Sequence, residues 1–101
     1  MYTQKELVIM NEKDNVGVIK EFQREGETIV VEDGKSKNVI SVKEDIPFGF
    51  KIALKNIKQN DKIYKYGETI GIAGIDIKKG EMVHIHNVEG VRGRGDLNSP
   101  E

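Results

Sequence analysis

An all-β fold of short, folded-over strands is the architecture this sequence predicts. Three observations carry it. The apolar runs are four to seven residues long and rich in Val and Ile; Gly, Asn and Asp interrupt them at short intervals; and no stretch keeps a 3.6-residue apolar period long enough for an ordinary helix. Any helix should be a turn or two.

The predicted strands, in order, run from Leu7 to Met10, Val16 to Phe22, Thr28 to Val31, Val39 to Val42, Lys51 to Leu54, Lys62 to Tyr66, Thr69 to Ile75 and Met82 to Val88. The Leu7 run is far too short to cross a bilayer. In the Val16 run, Val16, Val18 and Phe22 fall on one face by two-residue alternation. The later runs are linked by a recurring unit: an apolar residue, a Gly or Asn three places on, and another apolar residue three places after that. It appears as Ile46/Gly49/Ile52, Ile57/Asn60/Ile63 and Ile77/Gly80/Val83. Gly and Asn tolerate positive φ, so each unit reads as a strand end, a tight turn and a new strand. Spacings of eleven and then twenty residues are too irregular for a solenoid. They describe turns within one folded-over sheet.

At 101 residues the chain is one domain's worth. We expect residues 1–90 to form that domain and 91–101 a flexible tail, because Gly90, Gly93 and Gly95 space out a segment with little to bury. Sixteen basic and seventeen acidic side chains are mixed along the sequence. No broad field would draw in a polyanion or an anionic membrane, so neither nucleic acid nor a membrane is an expected partner. The absence of cysteine excludes disulfides, thiolate metal sites and cysteine nucleophiles. The first six residues carry charge where an export signal needs an apolar core, and a cytoplasmic location is expected.

Chemistry is concentrated in the two histidines, His84 and His86. Their spacing on a predicted strand would point both imidazoles to one face, where they could share a metal or a substrate. Neutral imidazole ligates metals, and its reference pKa of about 6.5 suits proton transfer. The spacing permits both roles, and it equally fits two solvated histidines on a sheet surface. With no third histidine, a closed metal site would borrow groups from elsewhere. Asn87 lies on the opposite face of that strand unless the strand ends there and a turn redirects its amide. Lys51, after the Pro47-Phe48-Gly49-Phe50 turn, could face an anionic ligand, and Arg92 and Arg94 could clamp a carboxylate. No phosphate-binding Gly-rich loop opens a helix, and no Gly-x-Ser-x-Gly elbow is present.

Four motifs then appear in order: Asp45-Ile46-Pro47-Phe48-Gly49-Phe50-Lys51-Ile52-Ala53-Leu54, Tyr66-Gly67-Glu68-Thr69-Ile70-Gly71, Asp76-Ile77-Lys78-Lys79-Gly80-Glu81 and His84-Ile85-His86-Asn87. Together with Asp14-Asn15-Val16-Gly17-Val18, they resemble the N-terminal domain of altronate and galactarate dehydratases, a domain of the SAF group whose fold is a β-clip. The resemblance implies a small, non-autonomous subunit of a metal-dependent hydro-lyase acting on a sugar acid. It further implies a larger catalytic chain as partner, holding most of the machinery and a divalent metal, iron by family habit. In this reading His84 and His86 act in catalysis or as metal ligands, Asn87, Lys51, Arg92 and Arg94 bind substrate, and the tail orders on association. One departure stands out: relatives commonly carry a histidine after the Pro-x-Gly turn, where this chain has Phe50. The alternative reading is a stand-alone SAF module that binds a small anion or a protein without chemistry, self-association of the isolated chain being open in either case.

Overall fold

A computed structural model describes residues 2–32 and 36–90. Among them there is no helix, and every strand pairing is antiparallel. The strands are β1 (Tyr2–Thr3), β2 (Leu7–Ile9), β3 (Val16–Ile19), β4 (Thr28–Glu32), β5 (Lys37–Ser41), β6 (Lys51–Ala53), β7 (Lys62–Lys65), β8 (Glu68–Ala73), β9 (Met82–Val83) and β10 (Val88–Glu89). The all-β expectation holds, and seven predicted runs became the cores of strands. The eighth, Met82 to Val88, did not: it breaks into β9 and β10 around a turn. The tail from residue 91, with Arg92 and Arg94, lies outside the described residues.

A five-stranded sheet in the order β1-β2-β3-β6-β9 forms the middle layer. Its two faces carry different cores because side chains alternate across a strand. Leu7, Ile19, Ile52 and Leu54 pack on one side with Ile29, Val31, Ile40 and Val42 from the β4–β5 hairpin. Val16, Ala53 and Val83 pack on the other with Ile63 and Ala73 from β7 and β8, and Val88 of β10 closes that cluster. Each fully buried Ile contributes about 1.5–3 kcal/mol. Short strands covered on both faces can therefore hold a core in a chain with little apolar surplus.

The turn units tie the layers together, and there are four of them. The three foreseen units are joined by Gln23/Gly26/Ile29, and the middle residue of each carries positive φ: Gly26 +93°, Gly49 +89°, Asn60 +77° and Gly80 +94°. Gln23 bridges Ile46, and Ile57 bridges Ile77, through reciprocal N–H to C=O bonds of 2.7–3.0 Å. The flanking bonds match as well. Gly49 N donates to Ile19 O and Ile19 N to Phe50 O; likewise Gly80 N donates to Ala53 O and Ala53 N to Glu81 O. Gly26 N donates to Val42 O as Asn60 N does to Ala73 O, and the Asp45 carboxylate accepts from Glu25 N as Asp76 does from Gln59 N. Residues 19, 23 and 26 thus correspond to 53, 57 and 60, and residues 42, 46 and 49 to 73, 77 and 80. The molecule is built twice on one hydrogen-bonded plan.

Candidate functional site

The histidines belong to a turn. After Val83 closes β9, Asn87 N donates to His84 O at 3.0 Å, His84 N donates to Asn87 Oδ1 at 2.9 Å, and Asn87 Nδ2 donates to Met82 O at 2.8 Å. A short amide that can bond back to its own backbone ends a strand, and Asn87 does so here while buried. The alternation argument for the His84/His86 pair therefore fails, since the strand it requires ends at Val83. Both polar atoms of Asn87 are engaged inside the turn, so the residue shapes the histidine segment from within.

His84 and His86 have different surroundings. The His84 ring lies against Phe50, centroids 4.5 Å apart and planes tilted by 51°, and is half-buried. His86 is exposed, and Ile85 between them is 83% exposed. The contact follows from register, because Lys51 of β6 lies opposite Val83 of β9, which sets Phe50 beside His84 at one end of the sheet. Phe50 is more than the replacement of an imidazole. Its ring supplies the wall on which His84 rests, a role no local spacing could reveal.

Lys51 faces the other way. It lies opposite Val18 and Val83, and so shares the sheet face covered by β7 and β8, whereas Phe50 packs with the β4–β5 core. Burial first, and the nearby Lys65 ammonium second, hold the Lys51 pKa below its ordinary value of 10.5. Lys65 itself sits over the Tyr66 ring at 5.0 Å. The candidate residues are thus divided by the sheet: His84 lies with Phe50, His86 is exposed, and Lys51 lies near Lys65.

The described residues do not bring three His, Asp or Glu side chains together in a group that could hold a metal ion, so they do not fit a complete divalent site. Two open depressions of about 650 and 520 Å³ lie along Asn11 to Asp14 with Lys37 and Asn38, and along Asn15 with Lys55 to Lys62. Neither is lined by His84, His86 or Lys51. Within the histidine segment Ile85 and His86 are exposed and His84 is half-buried.

The SAF domain profile of altronate/galactarate dehydratases matches residues 5–91. The chain belongs to this family. It is 56% identical over 50 residues to altronate dehydratase of Bacillus subtilis, a match covering half of this chain and 10% of that relative. It is 32% identical over 87 residues to the (2R)-sulfolactate sulfo-lyase subunit alpha of Chromohalobacter salexigens, covering 83% of this chain and 93% of the relative. Altronate dehydratase of Escherichia coli is 35% identical over 74 residues, 14% of its length. The chain therefore spans a small part of the dehydratases it matches and nearly all of a sulfo-lyase subunit.

The structure gives part of the SAF motif string a scaffolding purpose. Asp14 is buried, and its carboxylate accepts from the backbone N–H groups of Met10, Asn11, Tyr66 and Gly67 at 2.8–3.2 Å. Tyr66 and Gly67, with φ of +60° and +73°, form the two-residue link of the β7–β8 hairpin. Asn15 donates to Lys62 O and accepts from Tyr64 N. The Asp14-Asn15 pair of this SAF domain pins β7–β8 against the middle sheet. Among the described residues, no helix is long and apolar enough to cross a membrane.

Proposed function

We propose that this chain is the small subunit of a lyase acting on a hydroxylated organic acid, and that it contributes His84 and His86 to an active site completed by a larger chain. The observation that carries the reading is the match along 93% of a sulfo-lyase alpha subunit, a protein of this size that is itself one subunit of an enzyme. The histidine segment supports it, because a half-buried imidazole on a hydrogen-bonded turn, followed by an exposed one, can face a partner chain.

Elimination from a hydroxy acid removes the proton beside the carboxylate and expels a hydroxyl or sulfonate-derived group from the next carbon. His84 is the better-held base: Phe50 fixes its ring and Asn87 its backbone. His86, exposed two residues on, is assigned the protonation of a departing hydroxyl. The divalent ion implied by the family would stabilise the enolate, and its ligands are assigned to the larger chain. Arg92 and Arg94 are assigned to the substrate carboxylate.

The test is turnover of altronate, galactarate and sulfolactate by the chain reconstituted with the larger lyase chain of its genome, with and without ferrous iron. Replacing His84 and His86 by Ala should lower kcat by about 10²-fold or more, the usual scale of general acid–base catalysis. Full turnover by that variant ends the assignment.

The Lys51–Lys65 pair favours a second reading, a binding module for a small anion. In that case sulfate or a sugar acid should raise the Tm of the isolated chain, and Lys51→Met should abolish the rise.

A further inference from the structure

The two-fold plan of the molecule supplies its own control for what each turn requires. All three phenylalanines of the chain, Phe22, Phe48 and Phe50, sit at the first pair of turns, around the Gln23–Ile46 bridge. The corresponding positions at the second pair, around the Ile57–Ile77 bridge, are Asn56, Lys79 and Glu81. Those polar residues hold their turn: Lys79 N donates to Asn56 Oδ1 at 2.9 Å, and Lys78 N to Glu81 Oε1 at 2.6 Å. The same backbone plan therefore folds with polar side chains at these places, and nothing in it calls for aromatic ones.

Phe22 and Phe48 are also not core, and Phe50 packs only at the edge of it. Phe48 is 73% exposed and Phe22 51%, and only Phe50 is part-buried. Through the Phe50–His84 contact this end runs on to the histidine turn, where Ile85 is the most exposed large apolar side chain among the described residues. Phe48 comes second. Tyr66 and Ile75 are exposed elsewhere, but the two most exposed groups, Ile85 and Phe48, lie at this end and the histidine turn it touches; burying such anchors against a partner dominates association energy.

We infer that the end formed by Phe22, Phe48 and Phe50, with Ile85 beside it, is the surface on which the larger lyase chain docks. The inference rests on the proposed subunit role and adds to it the face that is used. One observation and one geometric requirement of the proposed shared site select the occupant. In the dehydratases the matched segment is 10% and 14% of a long chain, so a large body of protein is tethered to this domain there. A second copy meeting the same end would cover both histidine turns of the pair, whereas a larger chain seated on the phenylalanines borders His84 and can finish its pocket.

The experiment exchanges the aromatics for the residues the second half already uses, Phe22→Asn with Phe48→Lys. Thermal unfolding should be unchanged, while affinity for the larger lyase chain of the same genome, measured by calorimetry, should fall by at least about 30-fold. Phe48→Lys alone, at the more exposed site, carries the test if the double exchange lowers Tm. The reverse exchange, Lys79→Phe, which keeps the Asn56 acceptor in place, should leave affinity within about 3-fold. Unchanged affinity in the first variant overturns the inference, and so does an equal loss in the reverse one. If the wild-type complex forms and loses turnover with the histidines, while Phe22→Asn/Phe48→Lys binds normally, the subunit role stands and the docking face is wrong. A wild-type chain that forms no complex sinks both, and self-association abolished by the variant would give this end to a second copy instead.

Discussion

Gly49 and Gly80 hold the same place in the two halves, with φ of +89° and +94°, yet they meet different surroundings. No neighbouring atom lies where a Cβ on Gly49 would be, whereas a Cβ on Gly80 would overlap the Ser41 carbonyl oxygen. Lys43 N also donates to Gly80 O at 3.0 Å, fastening that turn to the end of the β4–β5 hairpin. One turn is a joint between layers and its counterpart is a free tip. A duplicated plan has let one copy take the mechanical task and left the other to display side chains.

A pair of matched substitutions separates the two turns most strongly. Gly80→Ala meets both the left-handed backbone penalty and a steric overlap with main chain, and should cost about 3 kcal/mol or more, read by urea unfolding. Gly49→Ala should cost only about 1–2 kcal/mol, the backbone term alone. Equal losses would show that the two turns do the same work.

Next in size is Asp14→Ala, which removes the shared acceptor of four N–H groups and should cost about 2–3 kcal/mol. Its signature is local. Amide exchange should quicken first in β7–β8, which Asp14 pins through Tyr66 and Gly67, and later in β4–β5. Uniform loosening would mean the hairpins are held alike.

Asn87→Ala comes third at about 1–2 kcal/mol, because the turn loses its side-chain bonds to His84 N and Met82 O. In the reconstituted enzyme, kcat should drop further than folding stability explains, since His84 loses its fixed backbone.

The smallest expected effect is electrostatic. The folded-state pKa of Lys51 is depressed, so between that value and 10.5 the unfolded chain binds more protons, and stability rises as pH increases through the window. Lys65→Ala should move the Lys51 titration part of the way back up in an NMR titration of its ε-methylene, leaving the larger burial contribution in place. No movement would separate the two lysines.

Much of this architecture could be read from residues alone, and the gaps have local causes. Ile46, Ile57 and Ile77 announced three turns because a buried Ile precedes each left-handed residue. The fourth stayed hidden because Gln23 fills the equivalent place, buried with its amide bonded to Glu21 O. The duplication was masked because the two arms shift by 34 and by 31 residues, the second hairpin being shorter. At the site, Val83-His84-Ile85-His86 alternates like a strand, and only the Asn87 amide, bonding backwards, converts it to a turn. The Phe50–His84 and Lys51–Lys65 relationships depend on register across strands, which sequence spacing does not encode.

The outer rim at β9 has one further consequence. Met82 N donates to Glu44 Oε2 at 3.1 Å and Met82 O accepts from Asn87, so side chains occupy the main-chain groups that a neighbouring polypeptide would use to extend the sheet. Growth into fibres by lateral ladder-building is opposed on this side, because another chain would have to displace Glu44 and Asn87 first.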